Sequence, residues 1–391
     1  MLTDPVALAQ SLVRCESITP NEGGALTLAE SWLKPLGFAC QRLIFTEPGT
    51  PDVDNLFARL GTGSPHLCFA GHVDVVPPGD LKSWTYPPFA GVIANGYLHG
   101  RGSVDMKGNI AAFASAMAGH LDQRTTGRQI GSISLLLTAD EEGPSVNGTA
   151  KVLQWMAKNG HTPTDCVVGE PTNPEALGDA IKVGRRGSLN ARITVHGKQG
   201  HSAYPHQANN PVHGLSRAIA ALLAEPLDQG TEHFDPSSLQ VVAFDTGNPA
   251  FNVIPAKADA KLNIRYNDKH TAASLEAMVR DTVQAALCDP GLNADFAFHG
   301  NADAFVTAPG PLVTKMQTAI RRVTGRTPEL STSGGTSDAR FAKNYCPVIE
   351  SGLVSKTLHA IDERTPTADI VQLTAIYRAF LDDYFGDAAT G

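Results

Sequence analysis

Apolar and polar positions along this chain follow two different rhythms, one before and one after about residue 187. In the first part, short apolar runs alternate with helical spacing. Asp4-Pro5 predicts a helix start, with Asp as the cap and Pro at the first helical position, followed by an approximately helical stripe of Val6, Leu8, Leu12 and Val13. The runs in HLCFAGHVD (66–74), SISLLLTADEE (132–142) and TDCVVGE (164–170) read as buried strands. Ile110, Phe113, Met117 and Leu121 recur at helical spacing after a DMKG turn, and 149–159 predicts a further helix stopped by Gly160. Strands alternating with helices predict an α/β catalytic domain, a mostly parallel sheet with helices on both faces.

After residue 187, Leu189, Ala191, Ile193 and Val195 alternate with polar neighbours, as do Ala258, Ala260, Leu262 and Ile264. A period of two marks half-buried strands. Between them Leu215, Ala218, Ile219, Leu222 and Leu223 form an amphipathic helical stripe. The predicted order is strand 189–196, helix 210–225, strand 238–245, strand 257–266, helix 272–287, strand 294–299, the β-α-β-β-α-β order of a ferredoxin-like sandwich. Such strands do not belong in a parallel sheet. The expectation is therefore an inserted α+β dimerisation (lid) domain at 182–298, flanked by the two parts of the catalytic domain, 1–181 and 299–391. An exposed edge strand in the insert could pair with its copy, so a homodimer is expected.

Composition narrows the partners. A chain of 391 residues exceeds the size at which one core keeps growing, which agrees with two domains. The formal net charge of -8 speaks against a nucleic-acid surface, whose footprint would be basic. The six cysteines are scattered without a CxxC pair, as expected of thiols in a reducing compartment rather than of disulfides or a cysteine-ligated metal. The N-terminus lacks a signal-peptide pattern, and no apolar stretch reaches the roughly 18 residues of a membrane span. A cytoplasmic protein with no membrane association is expected. Only the Ala/Gly tail at the end reads as disordered.

The chemistry sits where the apolar runs end. In open α/β sheets ligands collect beyond the carboxyl ends of the strands, and His72 with Asp74, Asp140 with Glu141 and Glu142, and Glu170 each follow such a run. One acidic loop is ordinarily just solvated surface; several on one rim, with His72 and His359, point to a metal. Histidine and carboxylate ligands without cysteine suit a catalytic rather than a structural site. The His-x-Asp spacing predicts that Asp74 accepts a hydrogen bond from the ring nitrogen of His72 facing away from the metal. Glu141 and Glu142, as neighbours on an extended backbone, would point apart, so that one binds metal while the other takes a proton from water. The Gly-rich GRGSVDMKG and STSGGTSD turns lack phosphate-loop spacing, and no GxSxG elbow supports a Ser/His/Asp triad.

FAGHVDVVPPGD, YLHGRGSVDMKG, TADEEGPSVNGT, VVGEPT, IKVGRRGSLNARITVHGKQGHSAYPH, SGGTSDARF and TLHAIDE resemble the M20 family of co-catalytic metallopeptidases and deacylases, from about residue 4 to 385. The resemblance is strongest to the branch that acts on N-succinyl-LL-2,6-diaminopimelate; Ser103, where relatives usually carry Ala, is a small departure. It implies hydrolysis of that amide to succinate and LL-2,6-diaminopimelate by metal-activated water, with another acyl-amino-acid deacylase or a dipeptidase as the alternative. It implies two zinc ions per subunit, cobalt or manganese being possible. His72, Asp105 and Glu170 would hold one ion, and Asp105, Glu142 and His359 the other. Glu141 would be the general base, Asp74 would support His72, and the peptide after Asp105 would be cis. His201 would reach the neighbouring subunit's site to stabilise the oxyanion. Arg185, Arg186, Ser188, Tyr204, Asn252, Arg265, Thr336 and Arg340 would bind a small substrate carrying carboxylates, which an Arg fork matches bidentately.

Overall fold

A computed structural model describes residues 3–122, 131–300 and 303–386. The Ala/Gly tail lies outside the described residues. The chain forms two compact units, one of Met1–Val183, Thr307–Ser331 and Ser337–Gly391, the other of Gly184–Val306 with Thr332–Thr336.

The first unit is built on an eight-stranded sheet. Its order is Ala39–Phe45, Val53–Leu60, Ser132–Thr138, His66–His72, Asp165–Val168, Val348–Glu350, Ala180–Lys182, Glu329–Ser331. The four central strands, from Ser132–Thr138 to Val348–Glu350, pair in parallel, and the antiparallel pairs lie to either side of them. Three of these strands are buried along their whole length, and the fourth, Asp165–Val168, at all but its first residue, which is why they read as apolar runs. Pro5–Val13 is capped by Asp4, whose carboxylate accepts from the Val6 and Ala7 amides. Lys107–Asp122 packs against both Pro5–Val13 and the C-terminal helix Thr367–Gly386. A one-sided stripe was the expectation for Lys107–Asp122, yet every residue from Lys107 to Met117 is buried. Four alanines in that stretch explain the difference, because small side chains let neighbours close on all sides. Phe69, on a central strand, stacks on Phe113 of this helix at 4.1 Å between ring centroids and meets Tyr377 edge-on at 6.0 Å. Tyr97–His99 departs from the sheet altogether and pairs with Val92–Ala94 and Arg364–Pro366 in a three-stranded sheet of its own.

The second unit carries a four-stranded antiparallel sheet in the order Ser238–Asp245, Lys257–Tyr266, Gly187–His196, Asn293–Gly300. Helices Pro211–Leu222 and Ala272–Ala286 cover its apolar face, enclosing a core of Leu189, Ile193, Leu215, Leu262, Val279 and their neighbours. This is the ferredoxin-like order. The unit reaches to Val306 because Phe305–Val306 pairs antiparallel with Gly184–Arg185.

Candidate active site

Strand register brings the polar groups to one rim. His72 pairs with Thr138, and Ala70 with Val168, so His72, Asp140 to Glu142 and Glu170 all leave the parallel sheet at the same end. Asp105 arrives by another route, from the loop between Tyr97–His99 and the helix Lys107–Asp122; the Asp105–Met106 peptide is cis. His359 sits on a turn with a left-handed backbone, φ +58°.

These residues form two triads that share Asp105. His72, Asp105 and Glu170 each offer a ligand atom within 4.8 Å of the others, and so do Asp105, Glu142 and His359. His72 Nε2 lies 3.0 Å from Asp105 Oδ1 and 3.5 Å from Glu170 Oε1. His359 Nε2 lies 3.0 Å from Asp105 Oδ2 and 2.9 Å from Glu142 Oε1. The donor set fits two divalent cations on chemical grounds. His72 Nδ1 lies 2.9 Å from the Asp74 carbonyl, an acceptor only, so that nitrogen carries a proton. A neutral ring would then aim the Nε2 lone pair at two carboxylates, and only a positive charge makes that arrangement favourable. That charge is a proton or a metal ion. Burial opposes charge on His72, but Asp105 and Glu170 outweigh it and raise its pKa well above the ordinary value. Hydrogen bonding to Asp105 and Glu142 raises His359 to about 10, against a smaller effect of burial. Burial, with the charge of Asp105 beside it, lifts the Glu170 carboxyl to about 7.

Asp74 is fully buried, and here the geometry corrects the expected hydrogen bond. The Asp74 backbone carbonyl, not its carboxylate, orients His72; the carboxylate lies 3.6 Å from Nδ1. Its oxygens accept instead from the Glu141 and Glu142 amides, at 3.4 and 3.1 Å. The strand ends at His72, so the same-face rule for positions two apart no longer governs Asp74. Burial raises the Asp74 carboxyl to about 6. Glu141 and Glu142 lie in a turn rather than on an extended strand. Asp140 holds that turn by accepting from the Ser145, Val146 and Asn147 amides at 3.2, 2.8 and 2.8 Å. Burial is the main cause that raises the Glu141 carboxyl well above the usual carboxylate range, with Glu170, Asp338 and Glu142 adding repulsion against the pull of His72.

The remaining expected residues divide between the units. Arg340, in the first, is buried, 3.9 Å from Asp338 and over the Phe341 ring. In the second, Arg185 donates to the Ser333 and Gly335 carbonyls at 3.3 and 3.0 Å, which ties it to the Gly-rich loop containing Thr336. Arg186 and Arg265 are close enough for one charge to act on the other; burial and Arg186 together lower the Arg265 pKa. Neither has a carboxylate partner among the described residues. Ser188 is the cross-strand partner of Arg265. Asn252 precedes Val253–Ile254, which pairs with Gly200–His201, and Tyr204 packs 5.6 Å from the His201 ring. His201 Nδ1 accepts from the Ala203 amide at 3.0 Å, so a neutral ring carries its proton on Nε2, ready to donate. Two further charged residues, Arg101 and Glu363, are buried beside Asp105 and His359. Sequence pattern alone does not distinguish them from solvated charges, since Arg101 lies between glycines in GRGSVD and Glu363 closes TLHAIDE.

Comparison with known proteins gives the family. A succinyl-diaminopimelate desuccinylase from Rhodospirillum centenum is 55% identical over 388 residues, 99% of each chain. An M20 family metallo-carboxypeptidase from Sulfolobus solfataricus superposes with a TM-score of 0.78 at 19% identity, covering 97% of this chain and 99% of its own. A dinuclear metal binding peptidase from Bacillus subtilis gives 0.71 at 16% identity, covering 98% of each chain. The model of peptidase family M20/M25/M40 matches residues 68–383, a span containing both triads and Glu141, and with that match and the near-full-length identity this chain belongs to the M20 family.

Proposed function

We propose that the chain hydrolyses the succinyl amide of N-succinyl-LL-2,6-diaminopimelate to succinate and LL-2,6-diaminopimelate, in lysine and diaminopimelate biosynthesis. One observation carries the reading: a chain matching a desuccinylase end to end also holds two metal-competent triads sharing Asp105, with Glu141 beside them. Two divalent cations, zinc being the expected metal, would supply Lewis acidity to the amide carbonyl and to water when held by His72, Asp105 and Glu170 and by Asp105, Glu142 and His359.

The chain's own residues do the rest. Glu141, with its raised proton affinity, takes a proton from water and later delivers it to the departing amine nitrogen. Asp74 fixes the Glu141–Glu142 turn through both amides, so the base and a ligand are positioned by one carboxylate. Arg186 and Arg265, two guanidiniums without a protein carboxylate partner among the described residues, suit the carboxylates of the substrate, with Ser188, Tyr204, Asn252, Thr336, Arg185 and Arg340 as further polar contacts. The Nε2 donor of His201 of the partner subunit would stabilise the oxyanion in a homodimer. Support for that dimer comes from the edge strand Ser238–Asp245, where Val242 and Phe244 are exposed. The six free cysteines support a cytoplasmic location, and no helix among the described residues is long and apolar enough to cross a membrane.

The test compares kcat/KM for N-succinyl-LL-2,6-diaminopimelate, acetylornithine and dipeptides on the zinc-loaded protein. The succinyl substrate is expected to be highest; a higher value for either rival would replace this reading with that activity. Sedimentation at micromolar concentration tests the dimer, which a strict monomer would exclude.

A further inference from the structure

Arg101 and Glu363 reach across between the two loops that supply the shared ligand Asp105 and the terminal ligand His359. From the His359 side, Glu363 is fully buried and its Oε1 accepts from the Val104 amide at 2.9 Å and from the Asp105 amide at 3.3 Å. From the Asp105 side, Arg101 donates to the Ala360 carbonyl at 3.1 Å and to the His359 carbonyl at 3.3 Å. The two side chains close the circuit in a buried ion pair, Arg101 Nη1 to Glu363 Oε2 at 2.8 Å. The Gly100 amide adds a bond to the Glu363 carbonyl at 2.9 Å, and Trp84 covers the guanidinium at 5.3 Å.

We propose that this reciprocal brace sets the affinity of the second metal site, the one formed by Asp105, Glu142 and His359. The inference rests on the two-metal reading above and goes beyond it by assigning Arg101 and Glu363 as positioning residues. The two sites differ in what else secures them. The first takes His72 from the end of a buried strand, oriented by its bond to the Asp74 carbonyl, and Glu170 from just beyond another buried strand. The second depends on His359, whose side chain is 42% exposed and whose backbone is left-handed, an unfavourable conformation for a residue with a side chain. Arg101 holds the carbonyls of that residue and the next, in the geometry that aims Nε2 at Asp105 and Glu142. Thr357 and Asp362 fasten the ends of the turn, but at His359 and Ala360 the carbonyls rely on Arg101, and without it the imidazole swings off its ligand position.

The experiment is a stepwise titration of the metal-free full chain with cobalt, followed by the visible absorption of each bound ion and by total metal content. The wild type is expected to take up two ions. Outer-shell partners of this kind typically change affinity by about 10–100-fold, so Arg101→Met should weaken the second step by that factor and leave the first within about threefold. Glu363→Gln, which keeps an oxygen for the Val104 and Asp105 amides, should lose less than Glu363→Leu. If a single variant fails to fold with a charge left unpaired, Arg101→Met/Glu363→Met removes both charges together; because Glu363 also holds the amide of the shared Asp105, it is read by the second step falling at least about tenfold further than the first. Two unchanged steps in the variants, or an equal loss in both steps, would overturn the brace while leaving two-metal binding intact. Fewer than two ions on the wild type would overturn the two-metal reading itself, and the brace with it.

Discussion

Replacing Gly169 by alanine should damage both stability and the first metal site, because this glycine lets the chain between the strand Asp165–Val168 and Glu170 pass against an immovable ring. A Cβ on Gly169 would lie 2.7 Å from Met106 Cε and 2.9 Å from Phe69 Cε2, and closer still to Phe69 Cζ. The methionine methyl is the far end of a flexible chain and can yield. Phe69 cannot: it is wholly buried, stacked on Phe113 at 4.1 Å between centroids. Nor can the backbone retreat, since the Gly169 amide donates to the Ala70 carbonyl at 3.1 Å. Overpacking of this kind costs about 1–3 kcal/mol. Urea denaturation of the metal-free protein would measure it, and zinc affinity would report the displacement of Glu170. The decisive comparison is a double-mutant cycle. Phe69→Leu alone should cost about 1–2 kcal/mol through its lost ring contacts, yet combined with Gly169→Ala it should relieve the clash. The double variant should therefore be more stable than the sum of the singles by about 1 kcal/mol or more. Additivity within about 0.5 kcal/mol would refute the steric argument, since independent sites add to that precision.

The remaining predictions concern protons and metals. Glu141→Gln should retain fold and two metal ions but lower kcat by about 10²–10⁴-fold, and near-normal turnover would remove Glu141 from its role as base. Chelation should abolish activity and zinc or cobalt restore it; activity persisting in metal-free protein would sink the two-metal mechanism. Metal binding at pH 7 should also release the protons that His72 and His359 hold in its absence, seen as a calorimetric heat that varies with the buffer's ionisation enthalpy, and a buffer-independent heat would count against it. His66 supplies a stability test away from the site. Burial first, then the Arg59 charge, depresses its pKa to about 4 from 6.5, so the folded state binds this proton less readily than the unfolded chain. Wild-type stability should fall as pH drops from 6.5 towards 4, and His66→Gln should lose about 2 kcal/mol less than wild type over that window; parallel profiles would contradict the assignment.

The parts of this molecule legible from sequence are those that depend on local pattern. The β-α-β-β-α-β order of the second unit follows from a period of two and a period of 3.6, and the structure places its strands within a residue or two of the expected ends because one face is buried throughout. The rim was legible for a similar reason: an apolar run that stops at a His or an acid has only one place to put it. What the pattern could not reveal is where a polar side chain turns once it leaves the strand. Asp74, two residues from His72, was expected to meet the ring with its carboxylate, and it meets the ring with its carbonyl because the strand has already ended. Asp140 belonged to the same acidic run as Glu141 and Glu142, and its role as the cap of their turn depends on three amides further along the chain. Arg101 and Glu363 lie 262 positions apart, so no spacing rule links them. Nor does residue type separate them from surface charges: burial does, and burial is a property of the assembled fold. Their pairing is also the kind that cannot arise one partner at a time, since a lone guanidinium or carboxylate in that interior would be strongly destabilising while in the pair each charge meets the other and the backbone groups around it. An active site of this kind is therefore written in two registers, ligands at strand ends that a periodicity exposes, and buried partners across the loops that only the folded chain brings together.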